Sequence, residues 1–149
     1  MMSITWSIKK FDALTVHELY AILQLRNEVF VVEQQCVFQD ADDKDQCSHH
    51  IMGWQENKLV AYTRIVPPVV SYSEPAIGRV VTSPAVRGSG IGRELMERSV
   101  AALYTIYGHV TVRIGAQLQL EKFYQSLGFV RSSDIYLEDG IEHIQMVRI

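Results

Sequence analysis

Cysteine is scarce in this chain, with two among 149 residues, Cys36 and Cys47, so a disulfide framework is excluded as the basis of the fold. In a reducing compartment both remain thiols. Basic residues are not in surplus either. The 14 Lys+Arg against 17 Asp+Glu give a net charge of −3, which supplies no diffuse positive field for nucleic acid. No run of about 18 uncharged apolar residues is present to cross a bilayer. The first residues, Met1-Met2-Ser3-Ile4-Thr5-Trp6, alternate polar and apolar types and lack the basic-then-apolar order of a signal peptide. A cytoplasmic protein with neither nucleic acid nor membrane as partner is expected. Repeats, linkers and low-complexity tracts are missing too, so residues 1–149 are read as a single domain. A hydrophobic share of 48% at this length can bury a sizeable core.

Metal-ligating residue types do cluster, as Asp40, Asp42, Asp43, Asp45, His49 and His50 beside the two cysteines. The spacing that would make them a site is absent. No Cys-x-x-Cys or His-x-x-x-His pair places two ligands on one turn. Lys44 stands where an EF-hand frame needs an oxygen ligand, and no glycine follows at the sixth position. No metal is expected, and residues 33–48 read as an irregular, solvated acidic loop or a short helix.

Periodicity supplies the elements. Ile4, Trp6 and Ile8 alternate with Thr5, Ser7 and Lys9, which predicts a strand. Thr15-Val16-His17-Glu18 is a capping box, with Leu14 and Leu19 as a hydrophobic staple, and predicts a helix carrying Leu19, Ile22, Leu23, Arg26, Val29 and Phe30. Segments 50–56 and 59–66 form a hairpin around Asn57-Lys58, ended by Pro67-Pro68. A strand at 77–82 is followed by a helix from Ile91 to Ile106 with Gly108 as its C-cap. A strand at 110–114 and a helix at 118–127, ended by Gly128, come next. Segments 129–137 and 141–147 close the chain as a hairpin around Asp139-Gly140.

Between the strand at 77–82 and the helix from Ile91 lies Arg87-Gly88-Ser89-Gly90-Ile91-Gly92. Glycines let such a turn adopt unusual dihedrals and bring its amides close to a ligand. The first helical N–H groups, with the positive end of the helix dipole behind them, then suit a phosphate. A Walker loop is excluded because Arg93 and Glu94, not Lys and Ser/Thr, follow Gly92. A Rossmann fingerprint is disfavoured by Arg93 and Leu95 where a third glycine belongs, and by the loop's position past mid-chain.

This Arg-x-x-Gly-x-Gly loop, after a strand ending Val80-Val81-Thr82-Ser83-Pro84, resembles the acetyl-CoA pyrophosphate loop of the GNAT superfamily of N-acetyltransferases. Phe123-Tyr124-Gln125-Ser126-Leu127-Gly128-Phe129 is similar to the Phe-Tyr-x-x-x-Gly-Phe signature of the same superfamily. The segment 25–34 with Cys36, Asp40, Asp42 and Asp45 looks like the ElaA-like branch, and Arg64, Gly78-Arg79-Val80 and Glu142-His143-Ile144 agree with it.

The resemblance implies a mixed α/β fold: a central, mostly antiparallel sheet of six to seven strands with two splayed parallel strands, flanked by about four helices. It implies acetyl-CoA as donor. Backbone groups of Val80, Val81 and Thr82 would bond the pantetheine arm, and Arg87, Gly88, Ser89, Gly90, Ile91, Gly92 and Arg93 would hold the pyrophosphate. A primary amine on a small molecule or peptide would attack directly, and neither cysteine lies in the motifs where a covalent route would place it. Tyr124 is the candidate for stabilising the leaving thiolate, because a phenol arrives protonated at neutral pH. Glu33 is the candidate proton acceptor, with His50 in reserve. Arg64, Arg79 and Arg113 either bind a substrate carboxylate or pair with Glu28 or Glu33. The loop 40–45 suits a cationic amine. An exposed sheet edge leaves a homodimer open. Two other readings remain: a non-catalytic acyl-CoA-binding sensor, and an acyltransferase like the acyl-homoserine lactone synthases, to which Arg26-x-x-x-Phe30 is similar.

Overall fold

The computed structural model describes residues 3–149, and the layering follows from which strand faces are apolar. Strand β1 (Thr5–Lys10) lies antiparallel to β2 (His49–Gln55), β2 to β3 (Lys58–Val66), and β3 to β4 (Ala76–Thr82). Strand β5 (Val112–Gln117) runs parallel to β4, and β8 (Ile141–Arg148) antiparallel to β5. Two short strands, β6 (Val130–Arg131) and β7 (Tyr136–Glu138), both pair with β8. The sheet therefore has eight strands among the described residues, in the order β1-β2-β3-β4-β5-β8-β6 with β7 also on β8. The count exceeds six to seven because segment 129–137 is broken. The Ser132 N–H donates to the Gln145 carbonyl (2.9 Å), while the Ser133 hydroxyl accepts from the Gln145 N–H (2.8 Å) and interrupts the ladder.

Helix α1 (Val16–Arg26) starts as its sequence dictates. Thr15 Oγ1 accepts from the Glu18 N–H at 3.0 Å, and Glu18 Oε1 accepts from the Thr15 N–H at 2.8 Å. The helix then widens into a π-helical stretch, Asn27–Glu33, a geometry that recurs at functional sites. Helix α2 (Ile91–Tyr107) ends at Gly108, whose φ of 86° with an extended ψ is a backbone conformation that glycine accepts without strain. Helix α3 (Glu121–Gln125), after a tight turn at Leu118–Leu120, is shorter than 118–127, and the α-helices among the described residues number three rather than about four.

Apolar side chains fill both faces of the sheet. Leu95, Met96 and Leu103 of α2 pack with Ile65, Ile77, Ile114, Ile144 and Met146 on one face. On the other, Ile22 and Leu25 of α1 and Val29 pack with Met52, Leu59, Tyr62 and Val81. Burying one such aliphatic side chain contributes about 1.5–3 kcal/mol, so β3, enclosed from Leu59 onward, anchors both layers.

Candidate active site

A single registered pair, Ala76 with Arg113, joins β4 to β5. Beyond it the two parallel strands diverge, and a cleft of about 620 Å³ opens between Ile77–Thr82 of β4 and Ile114, Gly115 and Gln117 of β5. The divergence has a local cause. Across β3, Tyr62 pairs with Val81 and Arg64 with Gly78, so Arg79 and Val80 together face Thr63 as a β-bulge. Arg79 sits there at a φ of 51°, and its side chain leaves the sheet.

Beyond β4 the chain turns through Pro84–Val86, where the Ser83 hydroxyl accepts from the Ala85 N–H (3.3 Å) and the Ser89 hydroxyl donates to the Val86 carbonyl. Gly88 and Gly90 take φ of 82° and 84°. A Cβ built on either meets nothing within 4 Å, so the dihedral, not crowding by protein, demands glycine, and the space over the loop is open. Gly90 supplies no side-chain cap to α2. The amides of Ile91, Gly92 and Arg93 thus lack intrahelical acceptors and are free for an anion. Arg93 itself leans away to the Ser126 hydroxyl.

Of the residues singled out in the sequence, Val80, Val81, Thr82, Arg87, Tyr124 and Glu33 line one cleft. Gly88, Ser89, Gly90, Ile91, Gly92 and Arg93 do not line it but continue directly from Arg87. Tyr124 is 5% exposed, edge-on to Phe123 (5.2 Å) and Phe129 (6.0 Å). Burial alone pushes its phenol pKa up, so it stays protonated at neutral pH. Glu33 makes a two-pronged pair with Arg87, with Arg87 Nη2 2.7 Å from Glu33 Oε1 and Nη1 on Oε2. The Arg87 hydrogen bonds hold the Glu33 carboxyl below its usual range, which weakens it as a base.

Three expectations need correction. His50 is fully buried away from the cleft wall. Its Nε2 lies 2.9 Å from the Asp45 carbonyl, which can only accept, so Nδ1 accepts from the Tyr62 hydroxyl at 2.6 Å. Nor is the loop 40–45 a solvated acidic stretch open to a cationic substrate. Asp40 and Asp45 are buried, and Arg26, wholly enclosed, reaches Asp40 Oδ2 and Asp45 Oδ1 at 2.7 Å each. Arg64 and Arg79 are likewise consumed, by aspartates rather than by Glu28 or Glu33. Arg64 Nη1 lies 2.7 Å from Asp42 Oδ1 and 2.9 Å from Asp45 Oδ1, and Arg79 Nε lies 2.8 Å from Asp40 Oδ1. Burial opposes charge on Asp42, but the Arg64 hydrogen bonds and the charges of Arg64 and Arg79 override it and hold its pKa far below the ordinary range. Arg113 pairs with Glu74 at 2.9 and 3.0 Å.

Cys36 and His143 also stand in the cleft wall, and sequence reasoning placed neither there. The Cys36 thiol donates to the Asp139 carbonyl (3.1 Å), a contact spanning 103 residues that no local pattern announces. His143 faces Gln117 across the β5–β8 ladder, and only that register would have revealed it.

Over residues 19–149 the chain matches the family described as an acetyltransferase (GNAT) domain. The ElaA protein of Escherichia coli K12 is 43% identical over 147 residues, covering 97% of this chain and 96% of that protein. The crystal structure of Escherichia coli ElaA has a TM-score of 0.93 at 42% identity, covering 98% of this chain and 99% of that one. An acyl-CoA N-acyltransferase from Pseudomonas aeruginosa gives 0.95 at 45% identity, covering 99% and 100%. The acyl-homoserine lactone synthase LasI, at 15% identity with a TM-score of 0.78 over 99% of this chain and 90% of that one, shares the fold alone. By its family match and by these relatives the chain is an ElaA-like acyltransferase and belongs to the GNAT acetyltransferase family.

Proposed function

We propose that the protein transfers an acetyl group from acetyl-CoA to a primary amine by direct attack, without a covalent enzyme intermediate. The observation that carries this reading is the splay of β4 from β5 beside a glycine loop that feeds an uncapped 17-residue helix. Membership of the acetyltransferase family and likeness to an acyl-CoA N-acyltransferase support acetyl-CoA as the donor, and the residues present suit it. Free amides from Gly88 to Gly92 suit a diphosphate, with Arg93 at the rim. Val80, Val81 and Thr82 have no β5 partner in register, so those of their backbone groups that are not bonded to β3 are available to a pantetheine amide and to the thioester carbonyl.

Glu33 fits a bracing role better than proton transfer, since it fixes the Arg87 guanidinium at the head of the loop. Tyr124 donates a hydrogen bond to sulfur as it leaves. Its raised pKa makes it a poor acid, so it stabilises the thiolate without giving up its proton. Calorimetric titration with acetyl-CoA tests the reading, with saturable binding expected and the absence of heat overturning it. Tyr124→Phe is expected to lower turnover while leaving the acetyl-CoA Kd unchanged, and unaltered turnover would remove Tyr124 from the mechanism.

A further inference from the structure

Two faces of the sheet meet at the cleft, and they carry different chemistry. Ala116 and Ile144 are cross-strand partners packed into the core beneath α2. Their neighbours Gln117 and His143, also partners, therefore project from the opposite face. Tyr124 belongs to the α2 side. The phenol and the imidazole thus approach one cleft from opposite sides.

His143 is held as a proton acceptor would be. It is 7% exposed, and its Nδ1 lies 2.7 Å from the Ile141 carbonyl. A carbonyl only accepts, so Nδ1 carries the hydrogen and Nε2 of the neutral ring keeps its lone pair. The Tyr136 ring stacks on it at 5.9 Å and 30°, fixing its plane. Nε2 is 3.5 Å from Glu138 Oε2, too far for a strong hydrogen bond, so its lone pair stays open toward the cleft beside a carboxylate. The groups facing the imidazole are Glu138 and Tyr136 from β7 and Gln117 from β5. Among the cleft's charges, Arg79 is tied to Asp40 and Arg87 to Glu33, while Glu138 pairs only with this imidazole among the described residues. Such a balance favours a cationic acceptor.

Building on the acetyltransferase reading, we propose that His143 is the proton acceptor for an amine that arrives as an ammonium on the face opposite Tyr124. His143 Nε2 takes one ammonium proton and frees the nitrogen lone pair. That pair forms the N–C bond to the acetyl carbon, and the C–S bond breaks with its electrons on sulfur. The second nitrogen proton goes to the thiolate, giving an amide, a thiol and an imidazolium that returns its proton to solvent.

The test compares thiol release from acetyl-CoA with three amines at neutral pH. Ethylamine and spermidine are protonated there, whereas hydroxylamine is already unprotonated and needs no base. His143→Gln is expected to cut the ethylamine and spermidine rates by about 10²-fold or more and to leave the hydroxylamine rate at the wild-type level. Glu138→Gln gives a smaller loss with the same selectivity, and added imidazole restores part of the activity of His143→Ala. An equal loss with all three amines, or no loss, overturns the proposal. So does a wild-type protein whose acetyl-CoA cleavage no amine accelerates. Calorimetric binding of acetyl-CoA by wild type and variants shows separately whether the acetyltransferase reading stands.

Discussion

Asp45 accepts from Arg26 and from Arg64 on one oxygen, at 2.7 and 2.9 Å, and its side chain is almost wholly enclosed. Removing its charge leaves two buried guanidinium groups short of a partner, and breaking a buried pair in this way costs on the order of 3–5 kcal/mol. Asp45→Asn should therefore lower the urea midpoint sharply, and an unchanged midpoint would show that the network adds nothing to stability. The same residues set the acid response. Asp42 and Asp45 have folded-state pKa values below their unfolded ones, so their contribution is complete above about pH 4 and is lost as pH falls through the lower folded values. Burial depresses the His50 pKa, so below about pH 6.5 the unfolded chain gains a proton that the folded chain refuses. Urea midpoints against pH should accordingly fall gently below about 6.5 and steeply below about 4. Asp40, Asp42 and Asp45 were visible in the sequence, but their partners lie 14 to 39 residues away, and only the folded chain pairs them.

Helix α2 and its loop were legible because every signal is local: glycines, an apolar stripe and a terminal Gly108 lie within one stretch of chain. Boundaries set by tertiary contacts were not. The turn of the first hairpin falls at Glu56-Asn57, one residue early, because Glu56 accepts a φ of 57° and β3 begins at Lys58. Strand β5 starts at Val112 rather than 110, its register fixed by Arg113 against Ala76 and Val147. The loop's dihedrals lead to a prediction at this scale. Gly90→Ala adds a methyl into open space and meets no clash, so its cost is the left-handed conformation, about 1–2 kcal/mol. A melting temperature lower by a few degrees is expected, together with weaker acetyl-CoA binding because the first turn of α2 shifts. Thermal melts and calorimetry on one sample separate the two effects. A lower Tm with an unaltered Kd would remove the loop from donor binding.

Across the whole molecule, distant segments close the cleft together. The last strand, β8, sits inside the sheet between β5 and β6, so the C-terminal residues complete a wall begun by β4. The order of the elements could be read from the sequence, but this insertion could not, since strand adjacency leaves no periodic trace. Cys36 ties the two ends of the chain by donating to the Asp139 carbonyl, and Gln34 accepts from Gln117 at 3.3 Å in the same wall. The two thiols therefore differ in kind: Cys36 is buried in the cleft, and Cys47 is exposed. Labelling with a thiol reagent should modify Cys47 at once and Cys36 slowly, at a rate set by opening of the 34–48 segment from the last hairpin. Saturating acetyl-CoA should slow Cys36 further and leave Cys47 unaffected, with Cys36→Ser giving a single fast phase. If both thiols react together in the free protein, the wall does not close as described. If acetyl-CoA protects neither, the donor does not occupy the gap between β4 and β5.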